Sequence, residues 1–81
     1  MRLANKTERW SRGNKTLVGK YKKCECNISY SSIHYSKEPY WYFTYTSKDD
    51  KTFNSLWDEL KYNTEEECHD ACIAHINSNL N

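Results

Sequence analysis

The chain has 81 residues, 37% apolar and 28% charged, with a net charge of +1 and a mean hydropathy of −1.05. That suffices for one domain with a thin core, built mainly from twelve aromatics (three Trp, seven Tyr, two Phe) rather than from aliphatic side chains. Two Gly and one Pro exclude a turn-rich knotted scaffold and a disordered tract, and no apolar run is long enough for a bilayer-spanning helix.

Charge is segregated along the chain. Residues 1–23 hold eight basic side chains (Arg2, Lys6, Arg9, Arg12, Lys15, Lys20, Lys22, Lys23) against Glu8, whereas residues 24–81 hold four basic and ten acidic ones. Residues 1–15 therefore read as a basic N-terminal arm that docks through Trp10 and stops at Gly13-Asn14. No leader-like apolar stretch follows Met1, so the expected compartment is the cytoplasm, of a host cell if the protein is viral. The sequons at Asn5, Asn14 and Asn27 favour the alternative, a secreted protein.

Leu17 to Tyr30 reads as one long strand, with Val18, Lys20, Lys22, Cys24, Cys26, Ile28 and Tyr30 on one face. A return loop follows from Ser31 to Pro39. Tyr40 to Thr46 is the strongest strand signal: five aromatics and two Thr, with Trp41, Phe43 and Tyr45 on one face and Tyr40, Tyr42, Thr44 and Thr46 on the other. Ser47 to Asp50 is a polar turn, and Lys51 to Ser55 pairs back as a third strand. Ser55 to Leu60 suits either a continuation of that strand or one helical turn capped by Ser55.

The last element is a helix. Thr64 is its N-cap, Glu67 occupies the capping-box position, and Glu65 and Glu66 complement the positive end of the dipole. Its predicted core stripe is Cys68, Ala71, Cys72, His75 and Ile76, with His69, Asp70, Ile73 and Ala74 off centre. The expected fold is α+β: a small three-stranded antiparallel sheet with one C-terminal helix on one face (β-β-β-α), spanning residues 16–77 between the arm (1–15) and a polar tail (78–81).

Cys24 and Cys26 point the same way on a strand, and Cys68 and Cys72 do so on a helix, so four thiols meet at the strand–helix seam. They fit buried reduced cysteines, two disulfides joining strand to helix, or a zinc site with His69 and His75 as nearby substitutes. Neither pair has the C-x2-C spacing of a zinc knuckle or of a redox helix.

Tyr42-Phe43 through Phe53, followed by Thr64-Glu65-Glu66-Glu67-Cys68 and Cys72, resembles the second half of a Kunitz-type inhibitor domain. The resemblance implies a secreted, disulfide-stapled module with Cys24 bonded to Cys72. No cysteine lies between Cys26 and Cys68, and Leu56-Trp57-Asp58-Glu59 replaces the family's Gly-Cys segment, so no inhibitory loop carries over. The whole chain is also similar in style to small accessory proteins of large DNA phages: rich in Lys, Asn, Ser and Tyr, poor in Gly and Pro, and closing with a Thr-Glu-Glu helix. That resemblance implies binding to a host component to inhibit or redirect it.

No catalytic constellation is expected. Cys68 and His69 are about 100° apart around the helix, His34 lies in a loop, and no Gly-rich phosphate loop exists. No cofactor is expected either. The leading expectation is a non-enzymatic binding protein with a host-protein partner, contacted through Tyr40, Tyr42, Trp57 and Trp10. The alternative is nucleic-acid binding through the eight basic residues of 1–23, with aromatics stacking on bases.

Overall fold

A computed structural model describes residues 3–11, 14–31 and 39–79. Five strands, β1 (Ala4–Ser11), β2 (Asn14–Tyr21), β3 (Cys24–Ser31), β4 (Tyr40–Thr46) and β5 (Thr52–Asn54), form one antiparallel meander in the order β1-β2-β3-β4-β5. A 3-10 turn (Ser55–Asp58) follows, and then α1 (Glu65–Asn79), which lies across β3 and β4. The expected three-stranded sheet is thus corrected to five strands.

The two added strands have separate origins. The segment Leu17 to Tyr30 is not one strand but a hairpin, folded at Lys22-Lys23, whose φ values are 48° and 67°. Two successive residues at positive φ give the turn handedness that matches the twist of a two-residue hairpin. Here both are lysines rather than Asn or Gly. The turn changes which residues share the core face: Leu17 pairs with Ile28, Gly19 with Cys26 and Tyr21 with Cys24. Val18 and Lys20, expected on the same face as Cys24, Cys26 and Ile28, lie on the opposite one, Val18 half-buried and Lys20 exposed. The second addition is β1, which pairs along β2 through a bulge between Ala4 and Thr7 where an arm was expected. Lys6, Glu8 and Arg9 line this outer strand, and charged side chains guard an open edge against pairing with other chains.

The core lies between the sheet and α1. It comprises Leu3, Leu17, Cys24, Cys26, Ile28, Phe43, Tyr45, Cys68, Cys72, Ile73 and Ile76. Phe43 is at its centre, fully buried, with the rings of Tyr45, Phe53, Tyr62 and His75 at 6.3, 6.0, 6.1 and 5.9 Å. Its backbone N–H donates to the buried Ser55 Oγ at 3.1 Å, which ties the 3-10 turn to β4. The turn itself is capped by Asn54 rather than by Ser55: Leu56 N–H donates to Asn54 Oδ1 at 2.9 Å. Tyr62 then bridges to Trp41 through a reciprocal backbone pair of 2.8 and 2.9 Å, covering the part of the β4 edge that the short β5 leaves open.

The Thr64 cap holds, with Glu67 N–H donating to Thr64 Oγ1 at 3.1 Å. The stripe of α1 is broader than expected. His69 and Ile73 are buried at 1% and 5% exposure, while Ala71 and His75 are only half-buried. The wider sheet explains the shift. The residue ahead of β1 reaches over the His69 flank, where Leu3 N–H donates to His69 Nε2 at 3.2 Å, and Phe53 stacks on His75 from the other side at 4.1 Å.

Gly19 makes the close approach of this N-terminal segment to β2 possible. A Cβ there would sit 2.9 Å from Leu3 Cβ and 3.1 Å from the Ala4 carbonyl oxygen. Gly19→Ala is expected to cost about 1–3 kcal/mol, because the strand must move away or the segment must undock. Urea unfolding checks this: the midpoint falls, and a midpoint unchanged from wild type contradicts the packing.

Candidate functional site

With α1 on one side, the other face of the sheet is uncovered among the described residues. Its centre is two cross-strand rows, Thr16–Ser29–Tyr42 and Val18–Asn27–Thr44. All six residues are half-buried and none is charged. Alternation puts Tyr40 on the same side of β4 as Tyr42, and the two rings lie 6.1 Å apart, tilted at 56°. The Lys61 Nζ sits 4.7 Å from the Tyr40 ring centroid, so a cation–π contact fixes that end of the pair. Thr46 and Thr52 extend the hydroxyl surface with a 3.0 Å contact. Arg9, Lys20 and Glu25 are exposed at its margins.

The four expected contact aromatics do not form one patch. Tyr40 and Tyr42 are neighbours on this face. Trp57, 65% exposed, stands in the 3-10 turn edge-on to Phe53 at 5.9 Å, on the β5 side and toward the helix layer. Trp10, 67% exposed, pairs with Lys15 on the β1 side. Trp10 is set by the β1–β2 pairing, where an arm was expected, and Trp57 by the 3-10 turn that follows β5.

The basic residues of the first 23 positions are dispersed as well. Arg2 and Arg12 lie outside the described residues. Lys6 and Arg9 are exposed along β1, Lys20 is at the margin of the open face, and Lys22 and Lys23 form the β2–β3 turn. Lys15, at the far end of β2, is bound to Glu8 and Glu65 at 3.0 Å each, and those two hydrogen bonds, Glu8 first, raise its pKa. Among the described residues, these side chains form no continuous cationic track.

All four cysteines carry free thiols and are buried between sheet and helix. Lys15 meets Glu65 at one end of β2, and the Tyr21 hydroxyl donates to Asn77 Oδ1 at 3.0 Å at the other, so α1, packed on β3 and β4, runs in the same direction as β2. Cys24 therefore lies toward the C-terminal end of α1 and Cys68 toward its N-terminal end. Between them Cys26 and Cys72 are in hydrogen-bond contact, which together with burial holds Cys72 protonated. This arrangement does not gather four sulfurs around one point, as a zinc tetrad requires. Nor does it reproduce the Cys24–Cys72 pairing that the Kunitz resemblance implies.

Among the described residues, one group of potential metal-ligand side chains converges within 4.8 Å: Glu66, His69 and Asp70. His69 is already committed there. Its Nε2 accepts from Leu3 N–H, which leaves Nδ1 as the donor in the 3.1 Å contact with Asp70 Oδ1. A cation on Nδ1 would displace that proton and put an N–H against the Leu3 N–H. His75 is likewise structural, with Nδ1 2.6 Å from the Tyr45 hydroxyl, and His34 lies outside the described residues.

Compared with protein-family models, curated proteins and solved structures, the chain matches none. No helix of the described residues is long and apolar enough to cross a membrane.

Proposed function

We propose that the chain is a non-enzymatic binding protein that engages a host protein through the open face of its sheet, the mode of action that its resemblance to small phage accessory proteins implies. The observation that carries this is the composition of the two central rows: Thr16, Ser29, Tyr42, Val18, Asn27 and Thr44, uncharged and half-buried, beside the Tyr40–Tyr42 pair. Tyr gives large contact area at low conformational cost, and Ser, Thr and Asn give adaptable hydrogen bonding, the mixture that antibody paratopes use against protein surfaces. The partner is a folded protein surface rather than a nucleic acid, because no cation lies in the two rows to neutralise phosphates.

A photo-crosslinking residue placed at Thr44, in the cells where the protein acts, is expected to give one dominant adduct with a host protein. The same residue at Glu66, on the outer side of α1, is expected to give none. Binding of the purified partner should weaken about tenfold or more for Tyr42→Ala with an unchanged fold, as for a central aromatic anchor. An adduct with a second copy of the chain, or unchanged affinity for Tyr42→Ala, contradicts the proposal.

A further inference from the structure

A second surface lies at the other end of the sheet from Lys15 and is separate from the open face. Register places the β2–β3 turn beside the β4–β5 turn: Tyr21 pairs with Cys24, Glu25 pairs with Thr46, and Ser47 N–H donates to the Lys51 carbonyl oxygen at 2.9 Å. Between the two turns is a cleft of about 280 Å³ lined by Lys22, Lys23, Lys48, Lys51, Asp49 and Ser47, with Cys24 at its base. Four lysines and one aspartate give the lining a formal charge of +3. Among the described residues, the ammonium groups of Lys23, Lys48 and Lys51 make no ion pair. The end of α1 near this cleft, reached through the Tyr21–Asn77 bond, carries Asn77, Ser78 and Asn79, so it adds no carboxylate side chain.

Like charges brought together in excess of their counter-charges repel one another, and a multivalent anion relieves that repulsion more than separate monovalent ions do. We infer that this cleft binds a small ligand through a diphosphate group. Its volume lies just below the range of about 300–1,000 Å³ typical of drug-sized pockets, which suits a compact anion. A nucleic-acid strand needs a cationic groove that follows its backbone together with stacking aromatics, and neither lines this cleft. The Ser47 Oγ, which accepts from Lys51 N–H at 3.3 Å, keeps its own proton available to donate to a phosphate oxygen. Asp49 is the one acidic group of the lining, with Asp50 next to it in the turn, and Asp49 supplies a test of sign.

The test is calorimetric titration of the full chain with inorganic pyrophosphate at low ionic strength, with a nucleoside diphosphate titrated in parallel. Saturable one-to-one binding of pyrophosphate is expected. Lys23→Gln/Lys48→Gln should weaken it well over tenfold, and Asp49→Asn should tighten it about fivefold, each exposed charge being worth about a factor of five at contact distance. All three residues are exposed, so the fold should survive the changes, as circular dichroism would verify. Equal affinity for both ligands means the phosphates alone are held, and tighter binding of the nucleoside diphosphate assigns the cleft to a nucleotide; either supports the inference. No saturable binding of pyrophosphate, or binding that the lysine and Asp49 variants leave unchanged, overturns it. A single-stranded oligonucleotide that binds more tightly than pyrophosphate and displaces it also overturns it, in favour of nucleic acid.

Discussion

Phe43→Ala is expected to lower the unfolding free energy by about 3–5 kcal/mol. A domain of this length has about 4–12 kcal/mol in total, so the variant should be largely or wholly unfolded under mild conditions. The size of the effect follows from the surroundings of the ring. Phe43 is fully buried and meets four other rings from β4, β5, the Tyr62 bridge and α1, so its removal opens a cavity where all these elements join. Those neighbours are held by separate bonds, Tyr45 to His75 at 2.6 Å and Tyr62 to Trp41 through the backbone, which prevents them from collapsing into the space. Tyr42→Ala, one residue away on the other face, should cost only about 1 kcal/mol. Urea unfolding of the two variants checks this. Equal losses would mean that β4 does not have one face against the helix and one open.

Stability should also fall steeply in alkali. Burial, with the nearby Glu65 charge, pushes the Cys68 thiol up to about 12 from its ordinary 9.0. Burial raises Cys24 too, and contact with Cys26 together with burial raises Cys72. Tyr45 and Tyr62 are likewise raised from 10.0 by burial. Cys26 moves the other way, because Cys72 donates to it, and partly offsets the sum. For each raised group the unfolded chain releases its proton first. The stabilisation is therefore complete below pH 9.0 and is lost between there and about 12 for Cys68, at about 1.4 kcal/mol per pH unit. Urea melts from neutral pH upward should show a plateau and then a decline. Cys68→Ala should reduce the slope of the decline by about one proton. A stability that stays flat well above pH 9.0 would show that the thiols are not enclosed by the helix.

The C-terminal half of the fold was legible in the sequence because its signals are local. Aromatic alternation sets the two faces of Tyr40–Thr46, and Thr64 with Glu67 sets the start of α1. The N-terminal half was not, for a definable reason. The Lys22-Lys23 turn lacks Gly, Asn and Pro, so the residues give no cue that the chain reverses there. One sign was nevertheless present. Apolar or small residues occupy odd positions at Leu17, Gly19 and Tyr21 and even positions at Cys24, Cys26 and Ile28, a switch of parity that a single strand does not allow. Ala4–Ser11 is polar and basic without apolar alternation, so only its pairing along β2 makes it a strand. The missing cue at Lys22-Lys23 also hid the lysine cleft, which forms only when that turn is set beside Ser47–Lys51. Of the candidate contact residues, Tyr40 and Tyr42 could be read from alternation. Trp10 and Trp57 could not be placed, because pairing across the sheet and packing on Phe53 decide where they stand.

The hairpin at Lys22-Lys23 underlies both the open face and the cleft, and Leu17 and Val18 report on it directly. Solvent paramagnetic relaxation, measured on the methyl signals of these two residues with a neutral soluble probe, distinguishes the two possible parities. Leu17, 7% exposed against Ile28 and the helix layer, should be protected, and Val18, on the uncovered face, should be broadened. Protection of Val18 with broadening of Leu17 would mean that residues 17–30 run as one strand, and the five-stranded sheet would be contradicted.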